Sequence, residues 1–227
     1  MSEIFTADFW AQYGPLLWKE FINTMIMTGV STVIAYLIGL PLGVLLVLTG
    51  DHGIRPNRVM NQVVGWIINV GRSLPFIILM ICIMDFTKLI VGTKIGVKGA
   101  IVPLVVSASP FIARMVETSL TEVDAGVIEA AQSMGASTLQ IVWKVYLPEA
   151  TPSLILGGSI SVITILAYTA IAGAVGAGGL GDLAIRYGYN RRVASMLLVT
   201  VVILIVLVQV IQSLFSYVAQ RVDKRLR

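Results

Sequence analysis

The chain has little charge. Of its 227 residues only 12% are Asp, Glu, Lys or Arg, where a soluble domain carries about 25%. Hydrophobic residues make up 57%, and the mean hydropathy is +0.90. Too few polar residues remain to cover a water-facing surface, so the composition points to a polytopic, all-α membrane bundle that counts as one domain over 1–227. Cysteine and histidine are each present once, as Cys82 and His52. That excludes an intrachain disulfide framework and argues against a Cys/His metal site. The net charge of +4 comes without a basic face interleaved with aromatics, so no nucleic acid is expected as a partner. A small basic excess suits juxtamembrane residues facing anionic membrane lipid. A cleavable signal is not expected either: Met1-Ser2-Glu3 is acidic where a signal is basic.

What the chain does have is long apolar runs. A spanning helix needs about 20 predominantly apolar residues. Residues 21–49 are uncharged throughout, and 193–220 give the clearest run of all. Residues 59–84 are long enough but contain Arg72, with Pro75 expected to kink the helix. Residues 99–113 are too short alone and span only when extended to 95–117, which brings in Arg114 and Glu117, three apart on one helical face. Residues 151–175 form the fourth run and break into Gly176-Ala177-Gly178-Gly179-Leu180-Gly181. Five spans result, with one polar loop, 118–150, between the third and fourth.

Five spans put the ends on opposite sides. Lysines and arginines divide evenly between the two faces, so the basic cluster from Arg221 to Arg227 and the close pair Arg55 and Arg58 decide the orientation. They place the C-terminus in the cytoplasm and the N-terminus outside. The segment from Ile4 to Glu20, with Phe9, Trp10, Tyr13 and Trp18, reads as an interfacial anchor ahead of the first span.

The loop is the one well-patterned polar segment. Val127, Ile128, Ala131 and Met134 have helical spacing, as do Leu139, Val142 and Val145. Gly135 interrupts them, Ser137 is placed to cap the second helix, and Pro148 and Pro152 are expected to end it. The pattern predicts helix, glycine turn, helix along the membrane surface. Ala130, Ala131, Gly135 and Ala136 leave one side free of bulk, which lets another protein approach closely.

Glu129-Ala130-Ala131, Gly135, Val145 and Leu147-Pro148 keep the spacing Glu-Ala-Ala, three residues, Gly, nine residues, Ile, one residue, Leu-Pro, with Val in place of Ile. In this the chain resembles the permease subunits of binding-protein-dependent ABC importers. The likeness extends through Arg72 to Leu79, Phe86 to Thr93, Ala100 to Leu104, Pro110 to Glu117 and Gly173 to Gly181, where it is similar to the methionine importer permeases. The resemblance implies a type I ABC importer permease fold and methionine uptake by alternating access through a homodimeric pore in the bacterial inner membrane. It further implies two ABC ATPase subunits, which carry the ATP and Mg, and an external methionine-binding lipoprotein. By the same likeness Glu129, Ala130, Ala131, Gly135 and Ala136 form the ATPase-coupling surface, and this chain carries no catalytic residue, cofactor or metal.

Five polar residues within the runs are candidates for the pathway. Arg72 is the one charge deep in an expected span, and an intramembrane ionisable residue is a functional candidate by default. Its alternative role is to hold carbonyls freed by Pro75 or to lie at a dimer interface. Ser107, Ser109, Thr164 and Tyr168 join it, although Ser and Thr in membrane helices often bond to their own backbone. The Gly176–Gly181 run lacks the Lys-Ser/Thr of a phosphate loop and reads as a tight re-entrant turn or gate. An ion-coupled secondary transporter needs intramembrane acids, whereas every acid here lies outside the expected runs or near their ends, Asp85 and Glu117 included; an intramembrane enzyme has no facing carboxylate pair to work with.

Overall fold

The computed structural model describes residues 6–223, and every regular element among them is helical. Lys224, Arg225 and Arg227 of the basic tail, and Ile4 and Phe5 of the N-terminal segment, lie outside the described residues.

Helix α1 (Ala7–Thr49) is 43 residues long and takes in both the expected interfacial segment and the expected first span. The fusion has a packing cause. Phe9 and Leu17 are buried in a core with Leu180, Leu183, Met196 and Val199. Phe9 is therefore a core residue and not an interfacial anchor, while Trp10 and Trp18 on the same helix remain exposed.

The second expected span, 59–84, is not one helix. α2 (Arg58–Ser73) ends before Leu74-Pro75, and α3 (Phe76–Cys82) and α4 (Met84–Val91) follow. The axis turns by 101° between α2 and α3. Pro75 has no N–H and its ring disfavours a helical residue before it, so the ladder stops at Ser73. Its carbonyl then accepts the Leu79 N–H at 3.0 Å and opens the next helix. What the sequence presents as a kink is a full break.

α5 (Gly96–Thr121) matches the extended third span. α6 (Ala125–Ser133) and α7 (Thr138–Ile141) lie in the polar loop. A single π turn, Val142–Tyr146, then joins α7 directly to α8 (Leu147–Ala174). The expected stop at Pro148 and Pro152 does not occur. In the widened turn the Leu147 N–H reaches the carbonyl of Val142, five residues back. A π turn releases the four-residue ladder just where Pro148 lacks a donor and its ring needs room. α9 (Gly179–Leu183), a second wide turn over Ala184–Asn190 and α10 (Ala194–Val222) complete the chain.

Among the described residues, four helical runs are long and apolar enough to cross a membrane: Ala7–Thr49, Gly96–Thr121, Thr138–Ala174 and Ala194–Val222. Counting the broken pair α2–α3 makes five.

The helices divide into two compact units. One comprises the chain up to Val33, Leu74–Ser107 and Val162–Ile211; its core is the Phe9, Leu17, Leu180, Leu183, Met196 and Val199 cluster. The other comprises Ile34–Ser73, Ala108–Ser161 and the chain from Gln212 onward; Leu46, Ile68 and Ala113 are buried together there, with Leu42 and Val64 against them.

Candidate functional site

The loop after α5 is built by local hydrogen bonds. Asp124 caps α6, its carboxylate accepting the Gly126 N–H at 2.8 Å. At the other end the Met134 N–H donates to Ala130 O and the Ala136 N–H to Ala131 O, both at 3.1 Å. Between them Gly135 has φ +78°, the left-handed conformation that closes a helix and favours glycine. Ser137 and Gln140 then form a reciprocal capping box on α7. The helix, glycine turn, helix expectation holds, Ser137 cap included.

Exposure sorts the expected coupling residues. Glu129, Ala130 and Gly135 are exposed and Ala136 is half-buried, but Ala131 is turned inward at 5% exposure. Ala131 therefore supports the turn from beneath and does not belong to the bare face. Met134 and Leu139, which share helical spacing with buried residues, are instead 81% and 67% exposed. Large apolar side chains held out on a charged loop are what a protein-contact surface presents. Spacing alone misses them, because α6 and α7 are too short to keep one face in register across Gly135.

A second polar site lies in the first unit, and reading the sequence missed it. Glu20 lies one residue before the expected first run, yet within α1 it is buried, 5% exposed. Its Oε2 accepts the Gly179 N–H at 2.6 Å and the Asn23 amide at 3.0 Å. One turn on, Thr24 donates to Glu20 O at 3.0 Å and its Oγ1 accepts the Leu180 N–H at 2.9 Å. These bonds satisfy two backbone donors where α9 begins, after Gly178 adopts φ +81° and ψ −160°, a conformation open to glycine. Methyl groups at Gly173 and Gly181 would meet the backbone of Asp182 and Ala170, so these glycines allow α9 to lie directly on the end of α8. Nearby, burial pushes the Asp182 carboxyl above the usual range; Arg186, paired with it at 2.8 Å, draws it back, and Glu20 adds to the rise. The glycine run is thus a tied-down turn, as its composition suggests. The acid that ties it lies some 160 residues earlier (|i−j| = 159) and carries no local signal.

The candidate pathway residues have distinct settings. In the first unit Ser107 is buried, Thr164 and Tyr168 are half-buried, and the Tyr168 ring stacks on Phe76 with centroids 4.6 Å apart. In the second unit Ser109 is buried in α5, and Arg72 is exposed in the last turn of α2. Arg72 lines a cleft of about 390 Å³ with Phe111, Arg114, Met115, Glu117, Thr118 and Thr121, a set that does not include Ser109. The expected Arg114–Glu117 pair is present at 2.6 Å, and Arg114 also donates to Asn69 Oδ1 at 2.8 Å and Gly65 O at 3.3 Å.

With these settings described, comparison with known proteins decides the family. Residues 39–224 match the model of the binding-protein-dependent transport system inner membrane component. The chain belongs to this family. Its members are inner-membrane transport components by that description, and the resemblance read from the Glu129 loop is borne out. Among individual relatives, a probable D-methionine transport system permease of Vibrio cholerae is 48% identical over 96% of this chain and 97% of its own length. A methionine import system permease of Bacillus subtilis is 44% identical over 80% and 82%. A solved structure of the MetNI methionine ABC transporter in an inward-facing conformation superposes with a TM-score of 0.92 at 45% identity, covering 94% of this chain and 99% of that one. An amino acid ABC transporter at 22% identity and a TM-score of 0.76 shares the fold.

Proposed function

We propose that this family member is the permease subunit of an ATP-driven importer that carries methionine across the bacterial cytoplasmic membrane by alternating access. The observation that carries this reading is likeness along nearly the full length, in sequence and in structure, to methionine permeases. Two copies form the pore. Two ATPase subunits dock on the cytoplasmic loop and bind the ATP and Mg, and an external methionine-binding lipoprotein delivers the substrate. The N-terminus lies outside and the C-terminus in the cytoplasm.

The chain itself does no covalent chemistry; its work is mechanical. The exposed surface of Glu129, Ala130, Gly135, Met134 and Leu139 meets the ATPase, with Ala131 and Ala136 supporting it. The π turn makes α7 continuous with α8, so a displacement of the docked loop passes along one uninterrupted helical run, Thr138–Ala174. Such coupling through a rigid element does not require the loop to deform. Arg72, Ser107, Ser109, Thr164 and Tyr168 remain our candidates for the route. Against an ion-coupled mechanism stands the engagement of Glu20: its Oε2 already accepts two hydrogen bonds, from Gly179 and Asn23.

The test is uptake of labelled methionine by cells from which the gene for this chain has been removed, with and without the chain restored. Restored uptake that ends on ATP depletion and persists with an uncoupler supports the proposal. Uptake with the opposite sensitivities refutes the ABC mechanism, and restored uptake of a different amino acid alone refutes the substrate.

A further inference from the structure

The cleft beside Arg72 has a chemistry that the coupling loop and the glycine turn do not. Its lining residues include two arginines and one glutamate together with the apolar Phe111 and Met115, and with Thr118 and Thr121. The charges are not equally committed. Arg114 has both terminal nitrogens bonded, to Glu117, Asn69 and Gly65, and only its buried Nε lacks a partner. Arg72 is exposed and has no hydrogen-bond or ion-pair partner among the described residues. Glu117 accepts the Arg114 hydrogen bond at Oε2, and its other oxygen has no described donor. Both threonine hydroxyls are used within α5, Thr118 on Arg114 O and Thr121 on Thr118 O, and so do not compete for the open charges.

We propose that this cleft is a transient binding site for the transported α-amino acid. Arg72 receives the carboxylate, the open oxygen of Glu117 receives the ammonium group, and Phe111 and Met115 face an apolar side chain. A zwitterion needs both signs in one cavity, and a flexible uncharged side chain needs an apolar wall. The cleft's size falls within the range of about 300–1,000 Å³ usual for small-molecule sites. Guanidinium suits this role because its planar fork meets a carboxylate with two parallel hydrogen bonds. The bond from Arg114 fixes that carboxylate in place before a ligand arrives. The site is weak by design, since a route that bound its cargo tightly would not release it. This inference rests on the proposed function for the identity of the amino acid, but the residues that recognise its two charged ends are assigned by the cleft itself.

The test uses the assembled permease–ATPase complex without the binding protein. The exposed Cys82 is replaced by serine and a reporter cysteine is placed at the exposed position Thr118 (Thr118→Cys), then labelled with a thiol reagent at increasing methionine. The expected result is a several-fold slowing of labelling by methionine. Methioninol, which lacks the carboxylate, and N-acetylmethionine, which lacks the ammonium group, should protect far less. Arg72→Gln should abolish protection and Arg72→Lys restore part of it, each in a complex whose assembly is verified by size. Protection unchanged in Arg72→Gln overturns the assignment. So does failure of methionine to protect a complex that transports it, and so does a Thr118→Cys thiol that never labels because a second copy covers the cleft. If methionine is not transported but another amino acid is and protects in the same Arg72-dependent way, the proposed substrate fails and the cleft stands.

Discussion

Gly135 and Glu20 show how differently single residues act in this chain. A methyl group built on Gly135 meets nothing within 4 Å, so space is not what requires glycine there. The requirement is φ +78°, which costs other L-residues roughly 1–2 kcal/mol and asparagine less. Gly135→Asn should therefore keep ATPase association near normal in co-purification, while Gly135→Val should weaken it several-fold with membrane insertion intact. Equal association for both would show that the turn has no preference for the left-handed state. Glu20 acts through burial. Glu20→Ala leaves the Gly179 N–H without its acceptor, a loss of about 1–3 kcal/mol for a buried donor. It should lower the thermal midpoint of the detergent-solubilised complex by more than Glu20→Gln does, because glutamine keeps a carbonyl acceptor. The two residues also divide what the sequence discloses. Gly135 lies in a spaced motif and its role is legible from the letters around it. Glu20 is bound to a partner far away in the chain, and local pattern gives no account of it.

At the scale of elements, local chemistry decides more than hydropathy does. Runs of apolar residues coincide closely with helices α5, α8 and α10, since length and charge are sufficient there. They failed at the second span because Pro75 converts a continuous run into a break, and at the N-terminus because Phe9 and Leu17 are recruited by a core formed from the far end of the chain. The prolines at 148 and 152 misled in the opposite direction: a π turn absorbs Pro148 and the helix continues. The capping box on α7 is a local feature that sequence does reveal. Ser137→Ala removes the side-chain acceptor of the Gln140 N–H. It should cost about 0.5–2 kcal/mol of local helix stability, read as faster amide exchange over residues 138–141 with slow exchange retained in α5. Unchanged exchange there would mean that packing against the adjoining π turn holds α7 without its cap.

For the whole molecule, the composition that argues against a soluble fold and the loop proposed to meet the ATPase belong together. Charge is sparse in the long helical runs and falls mainly in the segments between and beyond them. Among the described residues, buried Glu20 is held by the Gly179 N–H and the Asn23 amide, and half-buried Arg114 by Glu117, Asn69 and Gly65. Exposed Arg72 has no such partner among the described residues, and the cleft it lines is the proposed site for a cargo with two charged ends. The central claim is best tested by uptake of labelled methionine into proteoliposomes that contain this chain, its cognate ATPase and the binding protein, with ATP on the ATPase side. The account predicts accumulation that needs all three proteins and stops when ATP hydrolysis is blocked. Accumulation that proceeds without the ATPase or without ATP, driven by an ion gradient alone, would contradict it.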